Sequence, residues 1–98
     1  MNIYITGMMG AGKSSIAKKI SEISNFKLSD IDEIIEARSG KSIPEIFETE
    51  GEPVFRTKES EVLAEIARED GQVVALGGGA LLSEDNVAVM KQTGKIVY

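Results

Sequence analysis

NIYITGMMGAGKSS, residues 2–15, sets β-branched and aromatic side chains directly ahead of a glycine-rich turn and an amphipathic run. Asn2 to Thr6 reads as a strand, and being apolar nearly throughout it suits a central parallel strand covered on both faces. Gly7-Met8-Met9-Gly10-Ala11-Gly12-Lys13-Ser14 then matches G-x-x-x-x-G-K-[ST] at every fixed position. Such glycines let the backbone wrap closely around phosphate oxygens and turn successive N–H groups inward. The positive end of the following helix adds a favourable field for an anion. Gly10, Ala11, Gly12, Lys13, Ser14 and Ser15 are the expected nucleotide-binding residues, with Lys13 reaching the β and γ phosphates and the Ser14 hydroxyl ligating Mg²⁺. A glycine-rich turn carrying Lys-Ser by chance is the bland alternative; the length of the match and the agreement of both flanks argue against it. Met8 and Met9 fall at unconstrained positions and take no role.

Outward from this stretch, strands and helices alternate. Ile16, Ile20 and Ile23 make one apolar helical stripe. Phe26 to Asp30 fits a second strand, followed by an acidic helix from Ile31 to about Ser39 that ends at Gly40. Ser42-Ile43-Pro44-Glu45 has the form of a capping box opening a short helix with Ile46 and Phe47. Pro53 starts a longer helix to about Glu69, with Phe55, Val62, Leu63, Ile66 and Ala67 on its buried side. Val73 to Leu76 is a third buried strand running into Gly77-Gly78-Gly79. Ser83 caps a helix through about Gln92, and Lys95 to Tyr98 begins a fourth strand. Alternation of this kind predicts a three-layer α/β domain with a parallel sheet. No internal repeat or linker interrupts it, so residues 1–98 read as a single domain. Ending on Ile96-Val97-Tyr98, the pattern is expected to be the front portion of something longer, truncated to about four strands, and its open sheet edge is a candidate for self-association.

Three further features bear on chemistry. Asp30 and Asp32 lie at the exit of the second strand, where ligands bind in open α/β sheets. They are candidates to orient or deprotonate a substrate hydroxyl, although helix capping explains Asp there equally well. Arg56 is a candidate anion ligand or a solvated, ion-paired surface residue. The run Gly77-Gly78-Gly79 removes every side chain where a ligand could approach the backbone, a tight turn being the alternative.

Composition removes several classes. The 98 residues contain no cysteine and no histidine, which excludes disulfides, thiol nucleophiles, His-ligated zinc and a Ser-His-Asp triad. Proton transfer therefore falls to Asp, Glu, Lys, Tyr or water. Eleven basic against sixteen acidic residues leave a net charge of −5, which disfavours a nucleic-acid backbone or an anionic membrane as partner. Neither a signal peptide nor an apolar run of the ~20 residues that span a bilayer is present, so a cytoplasmic location is expected.

In combination, GMMGAGKSS at 7–15, SDID at 29–32, GKSIPEIFETEGEPVFRTKE at 40–59 and LGGGA at 76–80 resemble shikimate kinase across essentially the whole chain. The resemblance implies a P-loop NTPase-type fold with the first strand between the third and fourth and the second at an edge. It also implies ATP-dependent phosphorylation of the 3-hydroxyl of shikimate, in aromatic amino-acid biosynthesis. On that reading Asp32 contacts the shikimate hydroxyls and serves as base, with Lys13 as its catalytic companion on the phosphate. Asp30 organises Mg²⁺ alongside Ser14, Arg56 grips the shikimate carboxylate, and Gly77, Gly78 and Gly79 offer their backbone to substrate. Residues from about 32 to 61 form a shikimate-binding subdomain, with Phe47 and Phe55 shaping its wall. Members of that family continue for tens of residues further and there carry a lid with a catalytic arginine, a group worth ~10³–10⁵ in phosphoryl-transfer rate. Other small-metabolite kinases, such as gluconate kinase, and a catalytically silent nucleotide-binding or assembly module are the alternatives.

Overall fold

The computed structural model describes residues 1–6 and 11–97, with 11–14 as backbone. In chain order these form β1 (Asn2–Ile5), α1 (Ala11–Ser24), β2 (Lys27–Asp30), α2 (Ile31–Ser39), α3 (Ile43–Thr49), α4 (Glu52–Ala67), β3 (Gln72–Ala75), a 3-10 turn (Gly78–Leu82), α5 (Glu84–Thr93) and β4 (Gly94–Val97). Every pairing among the four strands is parallel, in the order β2-β3-β1-β4. Ile3 stands opposite Val73 and Asp30 opposite Ala75, which brings the carboxyl ends of the three strands to one edge. Among the described residues β2 and β4 are the outer strands, and β4 carries an exposed Lys95.

Alternation along the strands divides the core between two faces. Tyr4 and Val74 point toward α4 and α5 and join Ile31, Ile35, Ile46, Phe55, Leu63 and Met90 in the larger cluster. Ile5, Val73 and Ala75 point the other way, onto Ala17 of α1. Burying both faces is what near-continuously apolar parallel strands require.

The Ile16–Ile20–Ile23 stripe expected on the inner side of α1 is corrected here. Ile23 is 78% exposed and Ile16 is also exposed, while the contact with the sheet turns on Ala17 and Ile20. Ala17 has no side chain beyond Cβ, so it lets the helix approach the strands most closely, and closest approach sets which face is covered. The Ser21 and Ser24 hydroxyls on this helix donate to the carbonyls of Phe26 and Ile20.

Local signals set the other helix ends. Ser42 Oγ accepts from Glu45 N at 3.3 Å and the Glu45 carboxylate receives Ser42 N, so the capping box is complete and worth about 1 kcal/mol. Arg38 on α2 donates to Glu65 on α4, and this hydrogen bond holds the Glu65 carboxyl below the usual carboxylate range. Because that pKa is depressed, the contribution is present above the unfolded value and lost as pH falls through the folded one; the solvent exposure of Glu65 keeps it small.

A buried polar chain crosses the amino end of the sheet. Ser29 Oγ donates to Gln72 Oε1, Gln72 N to Asn2 Oδ1, and Asn2 Nδ2 to Tyr4 Oη and the Glu69 carbonyl, while Tyr4 Oη lies 2.6 Å from Thr93 Oγ1. It joins β2, β3, β1 and α5 side to side. Asn2→Ala removes an acceptor and two donations at once in a buried setting, so a loss of about 2 kcal/mol or more is expected, roughly 10 °C in Tm. Thermal unfolding followed by circular dichroism checks this, and an unchanged Tm would count against the network. Among the described residues no helix is long and apolar enough to cross a membrane.

Candidate functional site

At the carboxyl edge of the sheet, Leu76 N donates to the Ile5 carbonyl and Thr6 N to the Val97 carbonyl. These bonds hold the ends of β3, β1 and β4 together where the chain leaves each strand. Thr6 is fully buried, and its Oγ1 has no hydrogen-bond partner among the described residues. Gly7 to Gly10, where the phosphate-binding motif begins, lie outside the described residues. Ala11, Gly12, Lys13 and Ser14 form the first turn of α1, so the second half of the motif is the amino end of that helix, and Ser15 is exposed.

Asp30 closes β2 and caps α2, its Oδ1 accepting from Glu33 N at 3.2 Å. Half-buried, it also lines a cleft of about 240 Å³ with Ala17, Lys18, Leu28, Glu33 and Ala75, on the α1 side of the sheet. The capping role weighed against ligand binding is therefore present in the structure. Asp32 stands in the first turn of α2 and is half-buried.

The glycine run and Arg56, separate in the sequence, meet in space. Gly77 precedes the 3-10 turn in an extended conformation, and Gly78 and Gly79 open it. A Cβ on Gly79 would stand 2.5 Å from both terminal nitrogens of Arg56, so the guanidinium lies directly against that glycine. Arg56 is held there from α4. Its Nη1 donates to Glu59 Oε1 at 3.1 Å, its Nε lies 3.5 Å from Glu52 Oε1, and its Cζ is 5.2 Å from the centroid of Phe55. Phe55 is buried and contacts Phe47 with ring centroids 4.9 Å apart. Arg56, Glu59 and Gly79 line one cleft of about 300 Å³ with Glu52, Ser60, Leu82, Ser83 and Asn86. A guanidinium placed so is a planar, forked donor of a kind that suits a carboxylate or a similar oxyanion.

The sequence profile for shikimate kinase matches residues 9–98. The chain belongs to the shikimate kinase family. It is 47% identical over 97 residues to a shikimate kinase of Nitrosomonas europaea, covering 99% of this chain and 46% of that protein. It is also 47% identical over 92 residues to a bifunctional shikimate kinase/3-dehydroquinate synthase of Thermotoga maritima, covering 94% of this chain and 19% of that protein. Among solved structures, shikimate kinase from Acinetobacter baumannii in complex with shikimate superposes with a TM-score of 0.93 at 43% identity, covering 99% of this chain and 54% of that one. Shikimate kinase from Aquifex aeolicus gives 0.90 at 38% identity, covering 98% and 61%. The chain thus spans about half the length of several shikimate kinases it matches.

Within this shikimate kinase fold, the residue that sequence reasoning left without a role is Glu59. Only 1% exposed, it braces the Arg56 guanidinium from one turn along α4. Its spacing of three from Arg56 on a predicted helix was the available signal. Nothing local announces that a glutamate in so acidic a helix is buried.

Proposed function

We propose that this chain serves ATP-dependent transfer of the γ-phosphate to the 3-hydroxyl of shikimate. The observation that carries the reading is the Arg56 guanidinium braced by buried Glu59 against Gly79. That arrangement suits a carboxylate gripped from one side by a planar fork and met on the other by backbone N–H groups of Gly77, Gly78 and Gly79. Family membership and the shikimate complex of the A. baumannii relative support the same substrate. Residues 32–61, carrying Arg56 and Phe55, form the substrate-binding subdomain of a single domain on this reading.

Gly10, Ala11, Gly12, Lys13, Ser14 and Ser15 cradle the nucleotide phosphates, Lys13 neutralising charge on the phosphate that moves. Asp32 orients the 3-hydroxyl and accepts its proton, a task that no histidine is present to take. A hydroxyl and a carboxylate completed by phosphate oxygens and water are a donor set that suits Mg²⁺, and the residues that would hold it are Ser14 and Asp30. Asp30, half-buried at the end of β2, lines its cleft together with Ala17 and Lys18 of α1, the helix that carries Ser14 in its first turn, and this placement supports that set. When bound, the ion supplies charge neutralisation at the phosphates.

Shikimate-dependent ADP release with excess MgATP, read against Lys13→Ala as the blank, tests the proposal. Turnover above the blank is expected, together with a rise in Tm on adding shikimate. A folded chain showing neither response to shikimate would refute the substrate assignment.

A further inference from the structure

Three consecutive glycines leave a turn with more chain entropy than any other tripeptide, so a substrate-facing turn of this composition needs an outside restraint. The 3-10 turn has one. Asn86 of α5 donates from Nδ2 to the Ala80 carbonyl at 3.3 Å, and the same carbonyl receives Ser83 N at 3.4 Å. Asn86 is itself fixed, because its backbone N donates to Ser83 Oγ at 3.3 Å in the cap of α5.

Burial makes this polar residue informative. Asn86 is 4% exposed and stands one turn before Met90, which is fully buried in the main core. Helical periodicity alone would place an apolar side chain there. An amide instead occupies a position that lines the same cleft as Arg56, Glu59 and Gly79. Ala80 completes the attachment, with its side chain buried in the core and its N–H donating to the Gly77 carbonyl at 3.2 Å.

We propose that Asn86 is a positioning residue that locks the Gly77–Gly79 turn at the height where Gly79 meets the Arg56 guanidinium. This rests on the reading of that turn as part of the shikimate site, and it deepens that reading by assigning the restraint to α5. The group acts through the turn, so its removal should weaken substrate binding without disturbing the nucleotide end of the molecule.

The test is Asn86→Ala, with Asn86→Ser as the milder variant should the first fold poorly. Calorimetry gives the Kd values for shikimate and MgATP, and hydrogen exchange follows the amides of residues 78–82. About tenfold weaker shikimate binding is expected, the size of one lost hydrogen bond to a held turn, with MgATP affinity unchanged within about twofold. Exchange should accelerate in 78–82 and not elsewhere. Unaltered shikimate affinity with unaltered exchange would overturn the inference. So would equal weakening of both ligands with faster exchange throughout, which is a purely structural effect. If the parent chain itself binds no shikimate, the substrate reading falls separately, and exchange confined to 78–82 alone decides whether Asn86 holds the turn.

Discussion

Gly79→Ala is expected to weaken shikimate binding by roughly one to two orders of magnitude while shifting Tm by no more than about 3 °C. The asymmetry follows from what the new methyl group meets. It would stand 2.5 Å from the two terminal nitrogens of Arg56 and 2.6 Å from Cζ, which are the far end of a flexible side chain and can swing away. Gly79 lies outside the left-handed region, so alanine suits its backbone, and its N–H is retained. What yields is the guanidinium, which leaves Glu59 and the place where it would fork a carboxylate. A charge-assisted hydrogen bond is worth about 1.5–3 kcal/mol, which at 1.4 kcal/mol per decade corresponds to the stated loss. Arg56→Lys keeps the charge and removes the fork. The double variant should therefore bind no worse than the weaker single, because both act on one group. Calorimetric titration of the three variants measures this; full affinity in Gly79→Ala would show that the contact between Gly79 and Arg56 has no part in binding.

Gly94→Ala should cost stability instead, about 3 kcal/mol or more and upwards of roughly 12 °C in Tm. Gly94 opens β4 directly opposite Asn2, and its extended backbone suits any residue. The obstacle is space. A Cβ would lie 1.9 Å from the Asn2 carbonyl oxygen and 2.6 Å from its carbonyl carbon, both backbone atoms of the central strand. No rotamer relieves that contact; β4 must move, or β1 with the polar chain that Asn2 anchors. Denaturant unfolding against the parent checks the size, and a loss under about 1 kcal/mol would mean that β4 yields cheaply. The two glycines thus separate by the kind of atom beside them: a mobile guanidinium at Gly79, a fixed carbonyl at Gly94.

Most elements were legible because their signals are local. The Ser42–Glu45 box, the Ser83 cap, the Gly40 stop and the apolar run at Val73–Leu76 each act within a few residues, and the helices and strands follow them. Strand order was not legible in this way. The arrangement β2-β3-β1-β4 agrees with what resemblance to the family implied, whereas periodicity carried no information on it. Periodicity also misjudged α1, since an apolar stripe says that a face exists and not which neighbour reaches it. Ala17, the smallest apolar side chain near that stripe, makes the contact.

Site candidates divide along the same line. Residue types and spacing alone pointed to the phosphate motif, the Asp30–Asp32 pair and the glycine run, leaving a bland alternative beside each; for Arg56 they favoured the surface ion pair, and resemblance to the family supplied the site role. Asp30 does cap a helix, and Arg56 is ion-paired. That Arg56 lies against Gly79 and leans on a glutamate withdrawn from water could come only from the packing of α4 against the turn after β3. Propensity, capping and turn chemistry are written between residues a turn or less apart, so the chain states them outright. The meeting of a guanidinium with a glycine 23 positions later depends on how closely two backbones approach, and side-chain volume across the whole core sets that distance.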